Sequence, residues 1–239
     1  MYSIRILQPK MKYPGQKNIP GLIHKIVNQV PPCKEFYEPF AGSAAVSCFL
    51  SVLPGMQTKF LVNDIDHTVT ANFTYASGSR ITNFDALAII RKLASIAAGK
   101  DIFVFIDPPY HHSTRPNNVN LYKREFSNAD HVQLLKAVVD LKCNCMIIHP
   151  VCDLYEKALS TWRPLTISVR YHNKTSIERL YMNYPDPQQL LTYVYAGKDC
   201  WDRQRIKRKG DRTIQRLLTL PAVERNYIID RLLQSFPNH

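Results

Sequence analysis

The chain has no stretch approaching the ~18 consecutive apolar residues that a bilayer-spanning helix requires, so no membrane partner is expected. Its opening, "MYSIRILQPKMKYPGQK", lacks the apolar core and small-residue cleavage site of a secretory signal, and a cytoplasmic protein is expected. The six cysteines (Cys33, Cys48, Cys143, Cys145, Cys152 and Cys200) include no C-x-x-C pair. At 239 residues the chain can bury a core without a disulfide framework. Cys143 and Cys145 stand together in the strand-like "KCNCMII", where their side chains are expected on opposite faces, as reduced thiols and not as a zinc site. Internal repeats and low-complexity segments are absent. Acidic residues are scarce: 19 Asp and Glu face 31 Lys and Arg, a net charge of +12. That excess points to a polyanionic partner, because each neutralised phosphate releases counterions. Charge alone does not separate DNA from RNA or an anionic membrane.

What is present is an alternation. Short apolar runs, "EFYEPF" (35–40), "KFLVND" (59–64), "RITNF" (80–84), "IFVFID" (102–107) and "NCMIIH" (144–149), alternate with segments of helical period. "NADHVQLLKAVVDL" sets Val132, Leu135, Val138 and Val139 on one expected apolar face. Asp85, and Asn128 or Asp130, are the expected N-caps. Doubly buried strands separated by helices predict an α/β fold with a mostly parallel sheet, whose ligands bind beyond the carboxyl ends of the strands. After about residue 163 the pattern changes: "LTISVRYH" and "IERLYMNY", separated by "NKTS", predict an antiparallel hairpin finishing the sheet. The expected division is a catalytic domain over 1–196 and a basic helical segment over 197–239. Residues 197–216 hold eight Lys or Arg against three Asp, and "LPAVERNYIIDRLLQSF" predicts an amphipathic helix opened by proline.

Three strand ends carry chemistry. "EPFAGSAAV" (38–46) joins a strand to a helix through small residues that let backbone amides approach a ligand, although it is not G-x-G-x-x-G and a merely tight turn explains it equally well. "VNDID" (62–66) sets Asp64 at the end of the next strand, where an acid can accept both hydroxyls of a ribose or cap the following helix. The third, "FVFIDPPYHHS" (103–113), is the most specific. Proline fixes φ and lacks an N–H, so Asp107-Pro108-Pro109 is a stiff platform whose outward groups are acceptors. A carboxylate beside a carbonyl can take both hydrogens of an exocyclic amine and free its lone pair for attack. Tyr110 offers a face on which a base removed from its helix can stack.

In this order, "KYPGQK" (12–17), "EPFAGSAAV", "VNDID" and "FVFIDPPY" resemble the Dam-like (D12 class) DNA adenine-N6 methyltransferases, over roughly residues 9–195. "YKREFSNADHVQLL" and "ERLYMNY" are similar to downstream segments of that family. The resemblance implies a class I S-adenosylmethionine-dependent, Rossmann-like fold and site-specific methyl transfer to N6 of an adenine flipped from double-stranded DNA. It implies catalytic roles for Asp107, Pro108, Pro109 and Tyr110. Cofactor contacts are implied for Tyr13, Gly15 and Lys17, for Glu38, Pro39, Phe40, Ala41, Gly42 and Ser43, for Asp64 on the ribose, and for Phe84 and Asp85 near the cofactor adenine. Such enzymes are bacterial or phage-encoded, and a restriction endonuclease is a candidate partner. Two departures stand out: the family uses tryptophan where this chain has Tyr13, and often a second glycine where it has Ala44. An alanine methyl there could tighten the cofactor pocket.

Larger relatives of this family insert a target-recognition domain between the third strand and the catalytic motif, and here one helix fills that interval. Sequence reading is therefore expected from the loop 111–126, through Arg115, Asn117, Asn118, Lys123 and Arg124, and from the basic segment, through Arg203, Arg205, Lys207, Arg208 and Lys209. A metal role for His111 and His112 is not expected. His149 and Pro150 either line the pocket or end a strand. Cytosine N4 or an RNA amine would suit the same platform, and an inactive DNA-binding homologue is the reading of another class. The oligomeric state and the recognised word are not written in the sequence.

Overall fold

The computed structural model describes residues 17–19, 21–70, 79–96, 99, 101–115, 124–171 and 174–235. The chain divides into two units, Met1–Leu191 and Thr192–His239. In the first, seven strands form one sheet: β1 (Glu35–Glu38), β2 (Lys59–Asn63), β3 (Arg80–Thr82), β4 (Ile102–Ile106), β5 (Asn144–Pro150), β6 (Arg163–Tyr171) and β7 (Lys174–Met182), in the order β3-β2-β1-β4-β5-β7-β6. Pairings among β1 to β5 are parallel, while β7 runs antiparallel between β5 and β6. This is the α/β, Rossmann-like class I methyltransferase fold, with the expected hairpin at one edge. The hairpin strands reach Tyr171 and begin again at Lys174, so pairing extends into the expected "NKTS" connection.

Alternation along the central strands builds two cores. Phe103 and Phe105 of β4 join Met146 and Ile148 of β5 on one side, with Phe36 stacked on Phe103 at 5.4 Å. Val104, Ile106, Cys145 and Ile147 feed the other side. Each fully buried side chain of this kind contributes about 1.5–3 kcal/mol, which is why β4 and β5 read as unbroken apolar runs. Cys143 and Cys145 lie in the same core, against expectation. The reason is the period itself: residues two apart on an extended chain share a face. Burial pushes both thiols up, so they stay protonated.

The helices of this unit are α1 (Leu22–Val27), α2 (Ala45–Ser51), α3 (His67–Thr70), α4 (Ala86–Ser95), α5 (Asn128–Val139) and α6 (Asp153–Ala158). Asp85 caps α4 as expected, accepting from the Leu87 N–H at 2.9 Å. Ser127, not Asn128 or Asp130, is the N-cap of α5; its hydroxyl accepts from the Asp130 N–H, and the Asp130 carboxylate reaches back to the Ser127 N–H. The buried stripe of α5 is also rotated from expectation. It comprises His131, Leu134, Leu135 and Val138, while Val139 is exposed. A histidine in the apolar stripe disguised the register.

In the second unit, α7 (Cys200–Leu218) and α8 (Ala222–Ser235) contain no buried residue. Asp199 caps α7, accepting from the Asp202 N–H at 2.9 Å. No helix among the described residues is long and apolar enough to cross a membrane.

Candidate active site

Chain order reverses between β1 and β4, which are neighbours in the sheet. Their following loops therefore diverge and leave a crevice beyond the strand ends, the place where open α/β sheets bind ligands. Both loops bear the residues singled out above.

The β1 side is tied to β2 and β3 by a residue the sequence reading missed. Asn63, fully buried as the last residue of β2, donates from Nδ2 to the carbonyls of Pro39 (2.9 Å) and Phe84 (3.0 Å). Its Oδ1 accepts from the Phe84 N–H and the Thr82 hydroxyl, each at 2.8 Å. One amide thus fixes the exits of three strands. Its sequence signal is a polar residue closing an apolar run.

Asp64 follows directly and accepts from the Gly42 N–H and the Asp66 N–H, each at 2.9 Å. Burial raises its carboxyl, and those two backbone hydrogen bonds oppose the rise. A carboxylate has about four acceptor sites, so acceptor capacity for two hydroxyls remains. The alternative role, capping α3, belongs to Asp66, whose Oδ1 accepts from the Thr68 N–H at 3.0 Å. Pro39, Ala41, Gly42 and Ser43 are buried, Phe40 is half-buried, and Phe84 presents an open aromatic face at 64% exposure. Glu38 is buried against Ser47, accepting from its N–H at 3.1 Å and from its hydroxyl; burial pushes its carboxyl up to about 8. Ala44 takes the left-handed conformation, φ 48°, in which glycine is relaxed and an L-residue costs roughly 1–2 kcal/mol. Its methyl packs in the hydrophobic core, which offsets that cost.

On the β4 side Asp107 is held by Lys17. The Lys17 Nζ lies 2.8 Å from Asp107 Oδ2, 2.8 Å from the Tyr110 hydroxyl and 3.9 Å from Glu178 Oε2. Lys17 is only 3% exposed, so this is a buried arrangement and not a surface ion pair. Burial raises the Asp107 carboxyl to about 6, Lys17 opposes the rise, and the Glu178 charge adds to it. Among the described residues, Asp107 Oδ1 and the Pro108 carbonyl make no hydrogen bond. The expected acceptor pair is therefore free while the opposite carboxylate oxygen is tethered.

Histidines brace the platform from behind. His149, fully buried, accepts the His111 N–H at 2.9 Å through Nε2 and donates from Nδ1 to the Pro150 carbonyl at 2.7 Å. It stacks on Tyr155 at 3.8 Å and meets the Tyr110 ring edgewise at 5.3 Å. With both nitrogens committed and its pKa lowered to about 3 by burial, the ring stays neutral. His131 supports the same stack through Tyr155, its Nδ1 lying 2.9 Å from the hydroxyl.

Arg115 does not reach outward as expected. It is 7% exposed, donates to the Tyr110 carbonyl and pairs with Glu125 at 2.6 Å. A charged donor shared between a carbonyl and a half-buried carboxylate makes strong hydrogen bonds, so it braces the platform. Arg124 is exposed. Tyr13, Gly15, Asn117, Asn118 and Lys123 lie outside the described residues.

On α7 the helical period sorts the basic residues differently from their order in sequence. Arg205, Arg208, Lys209, Arg212 and Arg216 share one face by 3/4 spacing. Arg203 and Lys207 fall on the side of Ile214 and Leu217, and Arg203 lies 5.3 Å from the Tyr195 ring. Arg212 and Arg216 thus join the face from which Arg203 and Lys207 are excluded.

No protein-family model matches the chain, and no curated protein matches it. Solved structures with a similar backbone include the Escherichia coli protein yhhF, a candidate methyltransferase (15% identity, 76% of this chain and 91% of that one, TM-score 0.46). TrmK of M. capricolum, solved with S-adenosyl-homocysteine, is 9% identical over 89% of this chain and 94% of its own, with TM-score 0.45. The O-methyltransferase TomG of Streptomyces achromogenes, solved with SAM, is 11% identical over 67% and 77%, with TM-score 0.43. The similarity to methyltransferases is distant, and strand order itself carries the fold assignment.

Proposed function

We propose that the chain is an S-adenosylmethionine-dependent methyltransferase acting on N6 of adenine in double-stranded DNA. One observation carries the reading: Asp107 is tethered through Oδ2, while Oδ1 and the adjoining Pro108 carbonyl are left as a rigid pair of acceptors. Two acceptors on adjoining residues suit the two hydrogens of one amine. Tyr110, fixed by Lys17, Arg115 and His149, supplies the stacking face for an extruded base.

The residues across the crevice suit the cofactor by their chemistry. Asp64 is a buried carboxylate with acceptor capacity to spare, the Ala41–Ser43 turn is small, and Phe84 is a free aromatic face. When bound there, S-adenosylmethionine supplies an electrophilic methyl group on a sulfonium with a good leaving group. The chain's own residues position and polarise. Asp107 Oδ1 and the Pro108 carbonyl draw on both N–H groups of the amine, and its lone pair is released for attack. Once the nitrogen carries the methyl group, Asp107 takes its surplus proton. The basic face of α7 and Arg124 meet phosphates, and a restriction endonuclease remains a candidate partner.

The test is incubation with methyl-labelled S-adenosylmethionine and duplex DNA, digestion to nucleosides and mass spectrometry. N6-methyladenine is the expected product; label found only in N4-methylcytosine, or only in RNA, would assign another acceptor.

The reading also predicts a pH dependence. Asp107 must be ionised to accept, and its carboxyl is raised to about 6. Transfer should therefore climb as pH rises through about 6 and level off above it, falling about tenfold per pH unit below. Single-turnover rates between pH 4.5 and 8 measure this, and a flat profile would remove Asp107 from the acceptor role.

A further inference from the structure

The first turn of α7 carries Trp201, one of the two tryptophans of the chain, and it is 75% exposed. The other, Trp162, is half-buried against the second core of the sheet. An indole left in water forfeits the burial that large aromatics ordinarily supply, so its place on the helix matters. Arg205, Arg208, Lys209, Arg212 and Arg216 follow Trp201 by four, seven, eight, eleven and fifteen residues. Those intervals keep to the 3.6-residue period, so the ring stands in line with the basic stripe, at its N-terminal end. Ile206, Ile214 and Leu217 follow by five, thirteen and sixteen, which sets them on the opposite side of the helix. Trp201 is therefore no part of the apolar stripe of α7.

We propose that Trp201 stacks on a nucleobase that has left the duplex stack, at the end of the stripe by which α7 meets DNA phosphates. This rests on the reading of α7 as a DNA contact and not on the chemistry at Asp107. Cations by themselves call for a polyanion and gain nothing from a flat ring. A flat ring in line with them calls for a ligand that is anionic along its length and planar at its side. Nucleic acid is both. Within an intact duplex the planar faces are covered by neighbouring base pairs, so the base that meets Trp201 is unpaired, or is unstacked by the ring itself. From Trp201 to Arg216 the stripe runs about 22 Å at 1.5 Å per residue, the length of about six to seven base pairs. An anionic bilayer also takes basic helices, but there tryptophan belongs on the apolar face that sinks below the headgroups. On α7 it stands among the cations instead.

The experiment titrates the full chain, Trp201→Ala and Trp201→Phe with three probes: a paired DNA duplex, the same duplex with one bulged base, and heparin, a polyanion without bases. The parent should bind the bulged duplex roughly fivefold or more tighter than the paired one. Trp201→Ala should lose roughly fivefold to a hundredfold on the bulged duplex, which cancels that preference. Its salt slope should stay within about half a unit of the parent's, because indole carries no charge. Heparin affinity should stay within about twofold, since only charge is read there. Trp201→Phe keeps a ring and should retain most of the affinity. DNA should quench the parent's tryptophan emission and leave that of Trp201→Phe, which holds only Trp162, unchanged. An unmoved affinity in Trp201→Ala, an equal loss on heparin, or a parent without preference for the bulged duplex overturns the proposal. So does tighter binding, with blue-shifted emission, to phosphatidylcholine–phosphatidylserine vesicles than to DNA, which assigns α7 to a membrane surface. A parent chain that methylates no acceptor but shows these Trp201 effects loses the methyltransferase reading and keeps the stacking site. Retained methylation with DNA binding indifferent to Trp201 does the reverse.

Discussion

Asp107→Ala is expected to lower methyl transfer by a factor of about a thousand or more while leaving S-adenosylmethionine affinity within about threefold of the parent. Losing a single well-placed electrostatic group costs about 10²–10³ in rate at comparable sites, and the proposed reaction gives Asp107 two duties. It supplies one of the two acceptors, and it takes the proton that the methylated amine sheds. Its removal also takes a carboxylate 2.8 Å away from the buried Lys17 ammonium. A cation beside the amine's place adds repulsion to the lost acceptor. Asp64, Asn63 and the Ala41–Ser43 turn, the proposed cofactor side, are held by their own hydrogen bonds, none of which involves Asp107. The rate loss should therefore appear in single-turnover measurements and not in calorimetric titration with the cofactor. A variant that keeps a tenth of the parent rate would mean that the platform is structural and that the amine is activated elsewhere.

How much of this was legible beforehand follows from whether a signal is local. The core strand β4 and the stiff Asp-Pro-Pro-Tyr segment are contiguous, and proline chemistry alone describes the platform. The strand alternation gave the sheet, and the "NKTS" break gave the hairpin, because both are one-dimensional patterns. Lys17 was assigned to the cofactor motif, yet its Nζ sits on Asp107 and Tyr110. No local pattern links residues 90 or more positions apart. Glu178 was hidden for the same reason, while His149 was named as a candidate to line the pocket or end its strand but not as a support for the platform. Arg115 was misplaced because its loop is polar, and polarity does not reveal which cation has a carboxylate and a carbonyl waiting for it. The pair Cys143 and Cys145 was a different failure, since the period of a strand already places both on one face. The α5 stripe failed because His131 was counted as polar, although neutral histidine packs well when its nitrogens find partners.

The basic face of α7 leads to the other large effect. Neutralising Arg208, Lys209, Arg212 and Arg216 to glutamine should reduce DNA affinity and also its dependence on salt. Each phosphate contact contributes about −0.9 to the slope of log affinity against log salt, so losing four should flatten that slope by about three to four units. All four residues fall on one helical face, and their side chains are exposed. Arg205 is left in place because Asp202 already engages it, at 2.8 Å. Arg203 and Lys207 provide the internal control: they lie among the apolar residues on the other side of α7, and changing them to glutamine should shift the slope by less than about one unit. Cofactor affinity should not respond to either set, because in this reading different residues carry the phosphate contacts and the cofactor contacts. Fluorescence-anisotropy titrations of a labelled duplex from 50 to 300 mM salt would measure all three proteins. If the two sets flatten the slope equally, net charge and not a helical face governs binding; if neither does, α7 meets no phosphate, and the loop after Tyr110 must carry the DNA.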